Sequence, residues 1–214
     1  MNISDKKIYF LGDSITEGGG ASAADKTFVS LFQKEYPPVN VINYGRGGTR
    51  IARKRIPSDN PKADFDFNRR VTEMADGADL IVVFGGVNDF GSGDAPLGRL
   101  GDQTEDTFYG ALYALYEKLL KKYPYAKVLV VTPLHCVRED VPNRQGNTLK
   151  EFVVAVRETA ELFSFPILDL YATSGINPEF GKVKETFMPD GLHPNDAGHQ
   201  RLFELMNAYI TNCL

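Results

Sequence analysis

The sequence contains no tryptophan and only two cysteines, Cys136 and Cys213, among its 214 residues. Two cysteines cannot build the disulfide framework of a small secreted domain, and neither of them belongs to a C-x-x-C pair. A structural zinc site is therefore excluded by the number of thiolate ligands. We interpret both residues as ordinary thiols of a protein in a reducing compartment.

Basic residues are also fewer than acidic ones. The chain has 24 lysine and arginine residues against 28 aspartate and glutamate residues, which gives a net charge of −4. A net negative field opposes binding to a polyanion, so nucleic acid is not an expected partner. The one basic run, residues 50–55, is interpreted as a solvated loop or helix face.

No long hydrophobic run stands near the N-terminus. The first apolar run, residues 8–11, is too short for the core of a signal peptide or for a membrane span. We therefore expect a cytoplasmic protein without membrane insertion, unless a leader was removed from the native sequence.

Short apolar runs alternate with stretches of helical periodicity along the whole chain. Most of the runs are rich in Val, Ile and Phe without alternation, which is typical of strands buried on both faces of a parallel sheet. The runs cover residues 8–11, 39–42, 80–84, 128–131 and 166–170. The helical stretches lie near residues 28–32 and 67–74, over 108–123 and 149–163, and from about 195 to 212.

This alternation predicts an α/β three-layer sandwich with a five-stranded parallel sheet and right-handed crossovers. No break in composition, linker or internal repeat divides the chain, so we expect one domain over residues 1–214. Ligands of such sheets bind beyond the carboxyl ends of the strands, which directs attention to the loops that follow the apolar runs.

A nucleophilic site fits those loops best. Ser14 follows the first strand, while Asp190 and His193 precede the last helix, and loops at one edge of a sheet can converge. A serine nucleophile needs a base within hydrogen-bond reach and a third group that orients the base. Nucleotide binding is disfavoured because neither G-x-G-x-x-G nor G-x-x-x-x-G-K-[ST] occurs. The G-x-S-x-G elbow of α/β-hydrolases is missing too.

Four side chains of types that bind metals lie within ten residues, namely Asp190, His193, Asp196 and His199. The spacing that would align two histidines on one helix is missing, so no metal is expected. We instead expect His199 on the helix surface and Asp196 at the first helical turn. His135 follows the fourth strand and is expected to shape the pocket rather than to act as the base.

Four sequence blocks, in order and spread over nearly the whole chain, resemble those of the SGNH hydrolases, the GDSL-type esterase and lipase family. The blocks are Gly12-Asp13-Ser14, Gly48, Gly86-Val87-Asn88-Asp89 and Asp190-Gly191-Leu192-His193-Pro194. The resemblance implies a flavodoxin-like sandwich of five parallel strands. It also implies that Ser14 is the nucleophile, His193 the general base and Asp190 its orienting carboxylate.

The resemblance further implies an oxyanion hole. Its donors would be the N–H of Ser14, the side-chain amide of Asn88 and the N–H of a glycine in the second block. We align Gly48 because it lies five residues after Asn43, and Gly45 remains an alternative. The residues expected to bind substrate are Asp13, Gly45, Arg46 and His135.

These features predict a serine ester hydrolase that works through an acyl-enzyme and needs no metal or organic cofactor. The sequence has no apolar lid helix, and its loop 90–101 is rich in glycine with Asp94 and Arg99. We therefore expect a small-molecule partner, a short-acyl ester, such as an acetyl ester, of a carbohydrate or other small polar molecule. The alternatives are a lysophospholipase or lipase acting on longer acyl chains, and a non-catalytic carbohydrate-binding domain on the same fold.

Overall fold

Strands and helices alternate as the apolar pattern predicts. The structure is a computed structural model that describes residues 5–36 and 40–213, with Cys213 described by its backbone alone. The strands are β1 (Ile8–Gly12), β2 (Val41–Gly45), β3 (Leu80–Phe84), β4 (Lys127–Val131) and β5 (Ile167–Leu168). The α-helices are α1 (Ser14–Glu17), α2 (Phe28–Glu35), α3 (Phe67–Glu73), α4 (Val87–Ser92), α5 (Phe108–Lys122), α6 (Leu149–Leu162), α7 (Leu170–Thr173), α8 (Gly181–Phe187) and α9 (Asp196–Cys213).

The five strands form one parallel sheet in the order β2-β1-β3-β4-β5. This flavodoxin-like order changes its direction of winding between β1 and β3, which is where ligands of such sheets bind. The register places Gly12 at the end of β1 opposite Gly45 of β2 and Phe84 of β3. The loops after these three strands therefore leave the sheet at one edge, and the predicted fold class is confirmed.

Side chains of the central strands alternate between two apolar cores, one on each face of the sheet. Tyr9 and Leu11 of β1 pack in the core formed with α3, α5 and α6. Ile8 and Phe10 pack in the core formed with α2 and α9. Because both faces of the sheet are covered, its strands need continuous apolar runs rather than alternating ones.

Two predicted strands differ from the observed ones by more than one residue at an end. The second lies further toward the C-terminus than residues 39–42, and Val39 falls outside the described residues. The fifth was predicted over residues 166–170, yet only Ile167 and Leu168 pair with β4. The strand stops there because Asp169 caps α7, its carboxylate accepting from the N–H of Ala172 at 3.1 Å.

All five periodic stretches form helices, namely α2, α3, α5, α6 and α9. The apolar pattern did not predict α1, α4, α7 and α8: the first three have only four to six residues, and α8 has no buried residue that would mark an apolar stripe. Two of these short helices matter, because α1 begins at Ser14 and α4 contains Asn88. In the part of the chain that the structure describes, no helix is both long and apolar enough to cross a bilayer.

The basic run at residues 50–55 is not a solvated face throughout, which corrects the prediction. Only 4% of Arg50 is exposed. Its guanidinium donates to the carbonyls of Gly48 at 3.2 Å and Ala63 at 3.0 Å, and to the carboxylate of Asp64 at 2.8 Å. These partners compensate for the lost hydration, so a charged side chain can lie inside the loop between β2 and α3.

Candidate active site

Ser14 lies at the carboxyl edge of the sheet, directly after β1. The preceding Asp13 caps α1, since its carboxylate accepts from the N–H of Ile15 at 3.0 Å. Ser14 is the first residue of α1 and is half-buried. The cap therefore fixes the serine hydroxyl at the edge where ligands of this fold bind.

His193 and Asp190, from the loop before α9, meet Ser14 at this edge. Ser14 Oγ lies 3.0 Å from His193 Nε2, and His193 Nδ1 lies 2.8 Å from Asp190 Oδ2. An ionised carboxylate can only accept hydrogen bonds, so Nδ1 carries the ring proton. Nε2 is then free to accept from the serine hydroxyl. The three residues that the sequence analysis grouped do lie together.

The loop itself holds the carboxylate of Asp190 in place. Asp190 Oδ1 accepts from the N–H groups of Leu192 at 2.8 Å and His193 at 2.7 Å. Partial burial raises the pKa of Asp190, but these N–H groups and the ring of His193 outweigh it and bring the pKa below the usual aspartate value. Gly191 has a φ of 82°, and a Cβ there would lie 2.4 Å from Cγ1 of Val137. The carboxylate is therefore charged and well oriented toward the imidazole.

Asn88, the second residue of α4, lies at the same edge after β3. Its Nδ2 donates to the carbonyl of Thr49 at 3.0 Å. An amide nitrogen carries two hydrogens, so one donor position remains for a ligand. Asn88 also lines a cavity of about 320 Å³, which we call the inner cavity.

The inner cavity is mostly apolar. Its apolar lining residues are Val87, Phe90, Cys136, Val137 and Leu192. Burial raises the pKa of the Cys136 thiol to about 12, with a further contribution from the charge of Glu139. This thiol is therefore protonated and acts as a small apolar group. The other cysteine, Cys213, has its side chain outside the described residues.

The glycines of the loop after β2 differ in what their N–H groups bind. Gly45 N–H donates to Asn43 Oδ1 at 2.7 Å, and Gly47 N–H donates to Glu17 Oε2 at 2.9 Å. Within residues 5–36 and 40–213, no group accepts a hydrogen bond from Gly48 N–H. Of the two glycines aligned with the second block, Gly48 is thus the one with a donor available.

Arg70, which the sequence analysis missed, ties these loops together. Its guanidinium donates to the carbonyls of Gly12 at 3.0 Å and of Tyr44, and to Thr49 Oγ1 at 2.8 Å. Burial is the main reason that the pKa of Arg70 falls to about 10, so it remains charged at neutral pH. The helical periodicity could have predicted its burial, because a residue three positions after Phe67 lies on the inner face of α3.

Asp89 is a second buried titratable group close to these loops. Only 3% of it is exposed, and its carboxylate accepts from the N–H groups of Ile51 at 3.0 Å and Ala52 at 2.8 Å. Burial raises the pKa of Asp89 to about 7 despite these two donors. Burial likewise raises the pKa of Asp13 to about 6. Both carboxyl groups therefore titrate near neutral pH.

Three of the residues expected to bind substrate do not line the inner cavity. Asp13 is buried, with 2% of its surface exposed. The backbone of Gly45 packs directly against α1, where a Cβ would lie 2.2 Å from a main-chain nitrogen. The Arg46 guanidinium lies over the ring of Phe65, 5.1 Å from its centroid. The inner cavity instead takes its walls from α4 and from the loops after β4 and before α9.

The fourth residue, His135, faces a different cavity, of about 240 Å³. Its Nδ1 lies 2.7 Å from Glu139 Oε1, and its ring packs on Tyr171 with the centroids 3.8 Å apart. The hydroxyl of Tyr171 donates to the same carboxylate oxygen at 3.0 Å. The structure therefore does not bring His135 together with the other predicted site residues.

Two residues weighed as metal ligands have other partners. The carboxylate of Asp196 accepts from Lys26 at 2.7 Å. His199 was expected on the helix surface, which is wrong, because it is fully buried. Its Nδ1 accepts from the N–H of Phe28 at 3.3 Å, and its Nε2 donates to the carbonyl of Gly19 at 3.1 Å. Among the described residues, no group of three or more acidic, histidine or cysteine side chains is placed to hold a metal ion.

Comparison with known proteins identifies a family. Residues 10–201 match the GDSL-like lipase/acylhydrolase family. A GDSL lipase of Mycobacterium tuberculosis is 28% identical over 95% of this chain and 81% of its own length. An acetylxylan esterase of Geobacillus stearothermophilus is 27% identical over 93% of this chain and 91% of its own.

Solved structures with a similar fold also match this chain. The crystal structure of a protein from Lactobacillus plantarum superposes with a TM-score of 0.86 at 28% identity, and the match covers 100% of both chains. The family match spans most of the sequence and includes every residue that meets at the candidate site. The chain therefore belongs to the GDSL-like lipase/acylhydrolase family and is a carboxylic ester hydrolase.

Proposed function

We propose that Ser14 is the nucleophile of this ester hydrolase, with His193 as its general base and Asp190 as the carboxylate that orients the base. One observation carries the proposal, the unbroken chain of hydrogen bonds from Ser14 Oγ through the imidazole to Asp190. A serine hydroxyl becomes an effective nucleophile when a base can take its proton and a third group holds the base.

In this mechanism Ser14 Oγ attacks the ester carbonyl while His193 Nε2 takes the hydroxyl proton. The oxyanion that forms accepts from the amide of Asn88 and from the N–H groups of Gly48 and Ser14. The carbon–oxygen bond to the alcohol then breaks, and the alcohol leaves with the proton from the imidazole. Water attacks the acyl-enzyme by the same route, which releases the acid and restores Ser14.

The substrate we propose is an ester of a short acyl group, acetyl above all, with a carbohydrate or another small polar alcohol. Similarity to an acetylxylan esterase supports this choice. The second candidate is a longer acyl chain, which the apolar inner cavity of about 320 Å³ supports. A series of 4-nitrophenyl esters from acetate to dodecanoate separates the two. We expect the highest kcat/KM with acetate, and a maximum at the long chains would favour the second candidate.

Labelling with a fluorophosphonate tests the nucleophile. We expect the wild-type protein to be labelled at Ser14 and Ser14→Ala to remain unlabelled while it stays folded. Ser30→Ala is a matched control, because Ser30 is another half-buried serine in the first turn of a helix. Its labelling should equal that of the wild type. A folded wild-type protein that takes no label would contradict the proposal and favour a carbohydrate-binding domain on this fold.

A further inference from the structure

A larger cavity, of about 450 Å³, adjoins the inner cavity, and we call it the outer cavity. The two cavities share a wall formed by Phe90, Gly91 and Ser92 of α4. The far side of the outer cavity is formed by Lys54 from the loop after β2 and by residues 142–144 from the loop after β4. Because Asn88 lines the inner cavity and residues 90–92 line both, the outer cavity lies next to the inner one along α4.

Two cationic side chains line the outer cavity, Lys54 and Arg144. Lys54 is half-buried and Arg144 is exposed. Neither has a hydrogen bond or an ion pair with any residue that the structure describes, and no described lining residue is acidic. Asp64, in the same loop as Lys54, is paired with Arg50 at 2.8 Å. Burial raises the pKa of Asp64, but hydrogen bonds from Ser58 and the nearby charges of Arg50 and Lys54 bring it below the usual aspartate value. The two cations therefore face the cavity with their hydrogen-bonding capacity unused.

Lys54 is unusual within the basic run to which it belongs. Arg53 pairs with Glu105 at 2.9 Å, and Arg55 donates to the carbonyl of Asp106 at 3.3 Å. The neighbouring cations thus bind other parts of the protein, whereas Lys54 faces the cavity. A cavity with two unpaired cations in a protein of net charge −4 attracts an anion locally, although the whole molecule does not.

The loop that carries Arg144 is attached to the wall that both cavities share. The side-chain amide of Asn143 donates to the carbonyl of Phe90 at 3.2 Å, and Asn143 Oδ1 accepts from the N–H of Gln145 at 3.0 Å. The first bond attaches Asn143 to α4, and the second attaches the backbone after Arg144 to the side chain of Asn143. The backbone of Arg144 is therefore fixed, while its long side chain can move the guanidinium toward a ligand.

We propose that the outer cavity binds a negatively charged group of the ester substrate, a carboxylate or a phosphate, between Lys54 and Arg144. This inference rests on the proposed function, because the direction of the substrate is taken from Ser14 and Asn88. The charge belongs to the alcohol part, since the proposed acyl group is too short to extend through the inner cavity. An oxyanion at this position receives charge-assisted hydrogen bonds from both side chains.

Matched esters that differ in charge test the proposal. Hydrolysis of 3-carboxyphenyl acetate is compared with that of 3-carbamoylphenyl acetate, which has the same shape and no charge. A second pair, 4-nitrophenyl hydrogen adipate and 4-nitrophenyl hexanoate, places the charge on the acyl part instead. We expect the wild type to favour the carboxyphenyl ester over its amide by about tenfold in kcat/KM, mainly through KM. The acyl pair should show no such preference, and a preference there alone would assign the anion to the acyl part.

Variants identify the side chains responsible. In Lys54→Gln/Arg144→Gln we expect the preference for the charged alcohol ester to disappear, while hydrolysis of the neutral ester stays at the wild-type rate. Lys182→Gln is the matched control, since Lys182 lies on α8 with 89% of its side chain exposed. It should keep the full preference. Equal use of the charged and neutral esters by the wild type, or a preference that survives in the double variant, would overturn the inference.

A binding measurement decides the inference even if no ester is hydrolysed. In Ser14→Ala, we expect 3-hydroxybenzoate to bind at least tenfold more tightly than 3-hydroxybenzamide in calorimetric titration. Introducing Lys54→Gln and Arg144→Gln into the same background should remove the difference. Binding of both compounds with equal affinity would refute the anion site. If the wild type hydrolyses none of the esters while Ser14→Ala binds the two compounds selectively, the proposed function alone is refuted.

Discussion

The guanidinium of Arg70 donates to the carbonyl of Gly12 through both terminal nitrogens, each at 3.0 Å. Gly12 ends β1 two residues before Ser14. Arg70 also donates to Thr49 Oγ1, and the carbonyl of Thr49 accepts from Asn88. One buried side chain therefore connects the end of β1, which precedes Ser14, with Thr49, whose carbonyl binds the amide of Asn88.

Replacing Arg70 should impair both catalysis and stability. In Arg70→Met we expect kcat to fall at least tenfold, because the carbonyls of Gly12 and Tyr44 lose a buried donor. The Gly12 carbonyl keeps the N–H of Arg46 at 3.1 Å, so the loss is that of hydrogen bonds from a charged donor, about 1.5–3 kcal/mol of unfolding free energy each. Arg70→Lys should recover part of both losses, and the comparison requires ester kinetics and thermal unfolding on the same preparations.

The neighbouring residue supplies a control for this experiment. Arg69 is exposed, with its guanidinium over the ring of Phe65 at 4.6 Å from the centroid. Arg69→Met should leave kcat unchanged. If Arg70→Met folds and turns over esters at the wild-type rate, Arg70 does not position the site.

Asn88→Ala tests the oxyanion donor separately from the three hydrogen-bonded residues. Loss of one preorganised donor typically lowers kcat by about 10²–10³, and the interaction forms only in the transition state. We expect kcat to fall at least tenfold with little change in KM, measured together with the melting temperature. Asn177→Ala is a control for a turn role, since Asn177 Oδ1 accepts from the N–H of Glu179 at 3.0 Å. A lower melting temperature with intact kcat would assign Asn88 to its turn alone.

Asp89 should make the stability of the protein depend on pH. Burial raises its folded-state pKa to about 7, whereas an unfolded aspartate titrates near about 3.9. Between these values the folded state holds a proton that the unfolded state has released, so unfolding free energy decreases as pH rises from about 4 to 7. The slope for one proton is at most about 1.4 kcal/mol per pH unit.

Two other buried groups act in the same pH range. Asp13, whose pKa burial raises to about 6, has the same sign, and His199, whose pKa burial lowers, has the opposite sign. The difference between wild type and Asp89→Asn isolates the contribution of Asp89. We expect the stability of the wild type to decline relative to that of the variant as pH rises, in denaturant titrations at several pH values. Parallel curves for the two proteins would contradict the raised pKa.

His135 should matter for stability rather than for the chemical step. In His135→Ala the buried carboxylate of Glu139 loses one of its donors but keeps those of Tyr171 and of Cys136 N–H. We expect unfolding free energy to fall by about 1–3 kcal/mol and kcat to stay near the wild-type value. His193→Ala is the reference, and a loss of kcat as large as in that variant would mean that the general base is His135.

The sequence by itself determined the sheet and the residues at its edge. Strands buried on both faces of a parallel sheet must be continuously apolar, so residues 80–84 were located as a strand with the bounds that the structure has. Ser14, Asn88 and His193 were found because each follows a strand or precedes a helix at the edge where ligands bind. Such signals are local, and a linear pattern can carry them.

Only the tertiary structure decided which groups meet and which line the inner cavity. Arg70 lies 58 positions from Gly12 in the chain, and Asn88 lies 39 positions from Thr49. Whether Gly48 N–H is free depends on what the neighbouring glycines bind, and whether His135 faces the site depends on the direction of its loop. The burial of a side chain and its hydrogen-bond partners depend on how distant segments pack. They therefore do not follow from the type of a residue or from its position in a strand or helix.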